Sequence, residues 1–232
     1  MSYLINWLKG ILGLIFPDSC QVCKKEGDLF CGSCLATLQA LDVQQCPGCF
    51  CRSPEGEFCI KCATGESELD FLLVGTSYRN SPIVSLLIKT LKYKSIRRCI
   101  SYLPQTLFAP LSAKKKLNPV LIPVPLHAKR QKERGFNQAF IIARQVAEIF
   151  SLDINSSLLK RVRYTIPQAT LGKYERETNL KDAFAASVIS DPERLYILID
   201  DVATTRSTLE ECAKTMRKAG VKRIGAYVLA RK

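Results

Sequence analysis

Between positions 20 and 62, eight cysteines fall into four C-x-x-C pairs: Cys20/Cys23, Cys31/Cys34, Cys46/Cys49 and Cys59/Cys62. A C-x-x-C turn sets two thiolates on one side of a tight backbone knuckle. Two such knuckles complete the tetrahedral sulfur set that Zn²⁺ prefers, so the segment is expected to hold two structural four-cysteine zinc sites. Disulfides are the competing reading, and they persist only in an oxidising compartment. The longest apolar stretch, 3–16, is interrupted by Asn6 and Lys9 and closed by Pro17. It falls short of the ~18 residues of a membrane-spanning helix. It also lacks the basic start and small-residue cleavage site of a signal peptide. The expectation is therefore a soluble, non-exported, cytoplasmic chain with no membrane span, in which the thiols stay reduced and bind metal.

The spacing leaves the pairing of knuckles open. Sequential pairing joins Cys20/Cys23 to Cys31/Cys34 and Cys46/Cys49 to Cys59/Cys62, and a crossed arrangement is also compatible with the short connections. Cys51 reads as a bystander thiol beside the second site, and Cys99 and Cys212 as small core residues on helical patterns. With four sulfurs per site no coordination position stays open for chemistry. The metal would supply folding energy to a segment poor in large apolar residues. Ahead of the knuckles, Leu4, Leu8, Ile11, Leu12 and Ile15 recur at helical spacing with Trp7 alongside. This predicts an N-terminal helix over 1–17 that packs on the body of the protein, with peripheral attachment to a membrane surface as the alternative.

Charge separates the cysteine-rich segment from the rest of the chain. The formal net charge is +13, yet residues 1–70 hold 5 basic and 9 acidic side chains against 29 and 12 in residues 71–232. Between Arg79 and Arg134 there are 13 basic residues and a single acid, Glu133. A polyanionic partner is the direct reading, with Lys89, Lys92, Lys94, Arg97, Arg98, Lys129 and Lys132 as candidate nucleic-acid contacts. Lys114-Lys115-Lys116 reads instead as a solvated loop. The acidic segment is poorly suited to gripping DNA and better suited to docking on its own basic body or on a protein partner.

From position 71 the pattern becomes that of an α/β domain, giving three expected parts: a helix over 1–17, a double zinc ribbon over 18–70 and an α/β domain over 71–232. A strand is predicted over 71–78 and a helix over 83–93. A short buried strand at 120–125 and a periodic helix at 137–150 come next. Near the end, an apolar strand at 195–200, a helix at 205–219 closed by Gly220 and a strand at 222–229 have the length of a right-handed parallel crossover. The fold class is α/β with a mainly parallel sheet, whose ligands bind beyond the carboxyl ends of the strands. There Asp200 and Asp201 leave the strand, followed at once by Thr204, Thr205, Arg206, Ser207 and Thr208 opening a helix. Hydroxyls and free helix-start N–H groups suit a phosphate, while the acids suit sugar hydroxyls or Mg²⁺. A ribose 5-phosphate such as phosphoribosyl pyrophosphate (PRPP) has both features. The bland alternative is a Thr204 N-cap with solvated acids. Neither G-x-x-x-x-G-K-[ST] nor a strand-linked G-x-G-x-x-G occurs, so a P-loop or dinucleotide fold has no support.

The acid-pair turn resembles the PRPP-binding motif of type I phosphoribosyltransferases: an apolar strand, two acids, two variable residues, then Thr-Thr-Gly-x-Thr. A second stretch runs Ile122-Pro123-Val124-Pro125-Leu126-His127, Arg130 and Arg134-Gly135-Phe136-Asn137-Gln138-Ala139, with Gln168-Ala169, Arg176, Asn179 and Ala183-Phe184 downstream. With these residues and the double zinc ribbon, nearly the whole chain resembles the ComF family of competence proteins, the group that includes GntX-like proteins.

That resemblance implies a phosphoribosyltransferase-type sheet and a role in natural transformation, in the uptake and processing of single-stranded DNA. Implied partners are single-stranded DNA, a ComFA-like helicase and other DNA-processing proteins, at or near the inner membrane. It places Asp200 and Asp201 at the ribose hydroxyls and Thr204, Thr205, Ser207 and Thr208 around the 5-phosphate. Arg130, Arg134 and Asn137 would lie near the pyrophosphate or a DNA backbone. Arg206 stands where the motif has glycine, and would either bring its own donors to the phosphate or crowd the cradle. His127, the only histidine, reads either as a general base or as the hydrogen-bonding residue of a turn. Asn137 could equally cap the next helix. Three functions stay open: a DNA-binding protein that retains a PRPP-like phosphate site, a working phosphoribosyltransferase that uses PRPP and Mg²⁺ on an unknown acceptor, and a zinc-ribbon scaffold whose protein partner docks on residues 20–62.

Overall fold

The computed structural model describes residues 19–63, 67–78, 82–90, 100, 103–165 and 180–232. The expected N-terminal helix lies outside the described residues, as do Lys92, Lys94, Arg97, Arg98, Cys99, Gln168, Ala169, Arg176 and Asn179. Among the described residues no helix is long and apolar enough to cross a membrane.

In chain order the described elements begin with two single-turn helices in the cysteine-rich segment, α1 (Gly32–Leu35) and α2 (Ile60–Ala63). Strand β1 (Phe71–Ser77), α3 (Pro82–Thr90), a 3₁₀ helix (Gln105–Leu117), β2 (Val120–Pro123), α4 (Ala128–Arg134) and α5 (Gln138–Phe150) come after them. The last are β3 (Asp153–Ile154), β4 (Leu159–Arg161), β5 (Phe184–Ala186), β6 (Leu195–Ala203), α6 (Ser207–Lys218) and β7 (Arg223–Arg231). Five strands form a parallel sheet in the order β1-β7-β6-β2-β3, while β4 and β5 pair antiparallel as a separate ribbon. The expected α/β class with a mainly parallel sheet and an N-terminal cysteine-rich module is the one observed.

Alternation along the central strand builds two cores. Leu195, Ile197 and Ile199 of β6 face a cluster containing Ile142 and Val146 of α5, whereas Tyr196 and Leu198 face Leu209, Ala213 and Met216 of α6. Both sheet faces are thus covered by helices, the arrangement a buried parallel sheet requires. On α6 the buried residues Leu209, Cys212, Ala213 and Met216 keep to the helical period.

The cysteine-rich segment seals the edge of this sheet. β1 is an edge strand, and Gln44 brackets its residue Val74: the Val74 N–H donates to Gln44 Oε1 at 2.7 Å, and Gln44 Nε2 donates to the Val74 carbonyl at 2.9 Å. The Leu41 N–H donates to the Gly75 carbonyl, the Thr76 hydroxyl to the Gln39 carbonyl, and the Leu72 N–H to the Gly56 carbonyl. An unpaired strand edge is thereby occupied by the chain's own backbone. Phe30 and Leu38 join the core cluster that contains Phe71 and Leu73.

One expectation is overturned here. Lys114 does not lie in a solvated loop: it sits in the 3₁₀ helix, 6% exposed, with Nζ 2.5 Å from Glu55 Oε2 and 4.7 Å from the centre of the Phe71 ring. The acidic segment folds back over the start of β1 and supplies the counter-charge that makes burial of the ammonium tolerable. Lys115 and Lys116 remain exposed.

Candidate phosphate site and cysteine clusters

The predicted acid pair lies within β6 rather than beyond it. Asp200 pairs with Val228 and Ala203 with Arg231, so the ladder continues three residues past the expected strand end because β7 extends equally far. Backbone N–H groups hold both carboxylates: Asp201 N–H donates to Asp200 Oδ1 and Val202 N–H to Asp201 Oδ1, each at 2.8 Å. Burial first, and the Asp201 carboxylate second, hold the Asp200 carboxyl well above its usual range, with the charge of Arg161 pulling the other way.

Thr204 to Ser207 turn the chain from β6 into α6. The Thr205 and Ser207 hydroxyls lie 2.8 Å apart. The N-cap is Arg206 and not Thr204, and no side chain caps the first turn. Arg206 adopts the left-handed backbone conformation (φ 65°) that a motif glycine supplies. Its guanidinium lies over the Phe58 ring, 5.4 Å from the centroid, with Nη1 3.7 Å from Glu210. Glu210 also accepts from the Ser67 hydroxyl and the Glu68 N–H. On the last strand Arg231 lies 3.9 Å over the Phe50 ring and donates to the Pro47 carbonyl. Burial, then the charge of Arg206, brings its pKa down to about 10. A cleft of about 1000 Å³ separates the second ribbon from the turn, lined by Phe50, Phe58, Thr205, Arg206, Ser207 and Arg231.

Several other predicted residues hold structure together. His127 caps α4, its Nδ1 accepting from the Lys129 N–H at 3.3 Å, which is the turn-stabilising role. Its ring meets Tyr164 edge-on at 5.2 Å. Asn137 caps α5 and donates Nδ2 to the Val124 carbonyl, so it ties the end of β2 to that helix. Arg130 Nη2 donates to the Thr165 carbonyl at 2.8 Å and lies over Tyr164, as does Lys129. Arg134 ends α4 before Gly135, whose φ of 78° makes the left-handed cap. Lys89 and Lys132 are exposed.

Sequence reasoning missed Arg161 and Thr165. Arg161, on β4, lies over Phe184 and donates to the Thr165 hydroxyl, so two guanidiniums converge on one threonine. Burial first, then the charge of Arg130, lower the Arg161 pKa. The cluster of basic residues over 160–163 was the available signal, but spacing does not show that the charges of Arg161 and Asp200 act on each other.

The knuckles pair sequentially. Cys20, Cys23, Cys31 and Cys34 bring their sulfurs within 4.8 Å of one another. The two ribbons repeat one pattern. Cys31 N–H donates to Cys20 Sγ as Cys59 N–H does to Cys46 Sγ. Lys24 and Phe50, each directly after a knuckle, take positive φ. Ser19 bridges to Glu26 as Gln45 bridges to Arg52. Cys20 and Cys46 are fully buried. Burial alone would raise their thiols, but the backbone N–H groups around them outweigh it and bring each down to about 6. Such thiolates suit a metal: Zn–S bonds of about 2.3 Å put tetrahedral sulfurs about 3.8 Å apart, near the Cys23–Cys31 and Cys49–Cys59 separations of 3.6 and 3.5 Å.

The second cluster departs from expectation. The sulfurs mutually within 4.8 Å are those of Cys46, Cys49, Cys51 and Cys59, so Cys51 is part of the cluster and not a bystander. Cys62 is nonetheless beside it: the thiols of Cys59 and Cys49, then burial and Cys46, push its pKa up to about 12. The turn after Cys49 carries Cys51 inward, a placement that C-x-x-C spacing does not encode.

A parallel sheet with an acid pair and hydroxyl turn at its carboxyl edge, joined to two cysteine clusters that could each hold a metal ion, defines an α/β protein with a cysteine-rich module. No family model matches the chain. It is 32% identical over 227 residues to Competence protein F of Haemophilus influenzae, covering 96% of this chain and 94% of that one. It is 26% identical to the DNA utilization protein YhgH of Escherichia coli K12 over 94% of this chain and 99% of the relative. Competence protein ComFC of Bacillus subtilis is 24% identical over 84% and 81% of the two chains. The chain belongs to the ComF family of competence proteins. A purine phosphoribosyltransferase from Pyrococcus horikoshii superposes with a TM-score of 0.35 at 17% identity, over 60% of this chain and 83% of that one, which is too loose to carry weight.

Proposed function

We propose that this chain takes part in DNA uptake and processing in natural transformation, binding single-stranded DNA on its basic α/β body and a PRPP-like phosphate at the end of β6. The observation that carries the phosphate half is the direct run from Asp200 and Asp201 into the Thr204–Thr208 turn at the uncapped start of α6. Open helix N–H groups and the adjacent hydroxyls attract an anion, while the acids meet sugar hydroxyls and Mg²⁺. The DNA half is supported by relatives named for competence and DNA utilization and by the excess of basic charge. The partners on this reading are single-stranded DNA, a ComFA-like helicase and other DNA-processing proteins, in the cytoplasm at the inner membrane. The test follows a fluorescent single-stranded oligonucleotide by anisotropy across a salt series, with and without Mg-PRPP. Salt-steep binding supports the DNA reading, and displacement by PRPP puts DNA phosphates in or beside the turn. No binding at low salt removes the DNA reading.

A second reading, an active phosphoribosyltransferase, draws on one feature: Arg206 keeps the backbone conformation of the motif glycine, and its side chain is held on Phe58. Pyrophosphate release from Mg-PRPP that disappears in Asp201→Asn supports it. No release across a panel of nitrogenous bases leaves a binding protein.

A further inference from the structure

The second cysteine cluster brings four sulfurs together, those of Cys46, Cys49, Cys51 and Cys59, and a fifth thiol, Cys62, lies beside it, where a tetrahedral metal takes four. In the repeat that relates the ribbons, Cys20, Cys23, Cys31 and Cys34 correspond to Cys46, Cys49, Cys59 and Cys62. The last of each set lies on the matching single-turn helix, α1 or α2. Cys51 corresponds to Lys25: both supply the carbonyl that accepts the N–H of the first knuckle cysteine, at 2.8 Å in each ribbon. By repeat position the fourth ligand of the second site is Cys62. By proximity it is Cys51, whose sulfur lies within 4.8 Å of those of Cys46, Cys49 and Cys59. Cys62 lies just outside that group but against the same knuckle, its sulfur 2.8 Å from where a Cβ on Gly48 would lie.

We propose that the second site binds its metal through Cys46, Cys49 and Cys59 together with either Cys51 or Cys62, two interchangeable fourth ligands. The first site has no such alternative, because its equivalent position is Lys25. The proposal rests on the reading that these clusters hold zinc. Exchange needs no oxidant and no net reaction: one thiolate leaves the metal as the other, losing its proton, takes its place, and the released sulfur takes up a proton. Cys62 lines the cleft that faces Arg206 and Thr205, so the choice of ligand decides whether a free thiol stands beside the phosphate turn.

The test is metal content of the full-length chain by atomic emission, for wild type, Cys34→Ser, Cys51→Ser, Cys62→Ser and the double variant Cys51→Ser/Cys62→Ser. The expected result is two zinc ions per chain for wild type and for each of the Cys51 and Cys62 single variants, and one for the double variant and for Cys34→Ser. A fall to one in Cys62→Ser overturns the proposal, since Cys51 then does not ligate. A fall to one in Cys51→Ser overturns it in the other direction. Retention of two by the double variant overturns it as well. A wild-type chain without metal overturns the zinc reading itself and this assignment with it. Should the variants misfold, native wild type treated with iodoacetamide and mapped by mass spectrometry gives the same answer. Partial labelling of both Cys51 and Cys62, with Cys46, Cys49 and Cys59 protected, is expected, and labelling of only one of the pair refutes exchange.

Discussion

The guanidinium of Arg206, on the turn that opens α6, lies over the ring of Phe58 in the cysteine-rich segment, 5.4 Å from its centroid. The residue that stands at the glycine position of the acid-pair motif is therefore the one that ties the Thr204–Ser207 turn to the second ribbon. It supplies the backbone geometry of glycine and a contact that glycine lacks.

Removing either partner of this contact should cost stability, and removing both should cost little more than removing one. A double-mutant cycle with Arg206→Gly and Phe58→Ala is expected to give a coupling energy of about 0.5–2 kcal/mol, the range for a partly desolvated cation–π pair. Urea denaturation of the four proteins measures it. Additive losses would mean that the contact contributes nothing.

Gln44 is the side chain whose loss should loosen the module from the sheet. It satisfies both the N–H and the carbonyl of Val74 at a buried position. Gln44→Leu leaves both unpaired, at a cost of about 1–3 kcal/mol per group. Faster amide hydrogen exchange at Val74 is the specific readout, because a general packing defect would not single out that residue.

Asp200 sets a pH dependence of known sign. Its folded-state pKa is raised well above 3.8, so the native state keeps a proton that the unfolded state has lost. Stability from this group is present in full below the unfolded value and declines as pH rises through the folded one. Asp200→Asn should therefore flatten the fall in stability above pH 4, with the gap over wild type widening toward neutrality. Denaturation midpoints measured from pH 4 to 8 check this.

Three adjacent lysines should behave differently. Lys114→Ala removes a buried side chain that meets Glu55 and Phe71, and should cost about 1–3 kcal/mol, whereas Lys115→Ala and Lys116→Ala should stay within about 0.5 kcal/mol. Thermal melts of the three variants decide it, and equal losses would contradict the burial argument.

Local pattern made much of this legible. The C-x-x-C spacing announced both sulfur clusters, because two cysteines three residues apart face one way in a turn whatever surrounds them. The unit from β6 through α6 to β7 was readable since its apolar residues keep to strand and helix periods that depend on neighbours in sequence. The acid pair and hydroxyl turn were visible for the same reason, and the two competing roles of His127 were both in view.

What the sequence by itself determined is the set of parts: a parallel α/β body, an acid pair ahead of a hydroxyl turn, and knuckles able to bind metal. Only the tertiary structure decided how those parts meet. It buried Lys114 against Glu55, sent Arg206 to Phe58, brought Arg130 and Arg161 together on Thr165, and turned Cys51 into the second cluster. Lys114 and Glu55, Arg206 and Phe58, and Arg130 and Thr165 lie tens of residues or more apart in the chain. No periodicity links them, and the contact exists only because the sheet order and the docking of the cysteine-rich segment on β1 carry the two segments to the same place. Cys51 lies close to its partners in sequence, yet its direction is set by a positive-φ turn at Phe50, and residue spacing alone does not specify that turn.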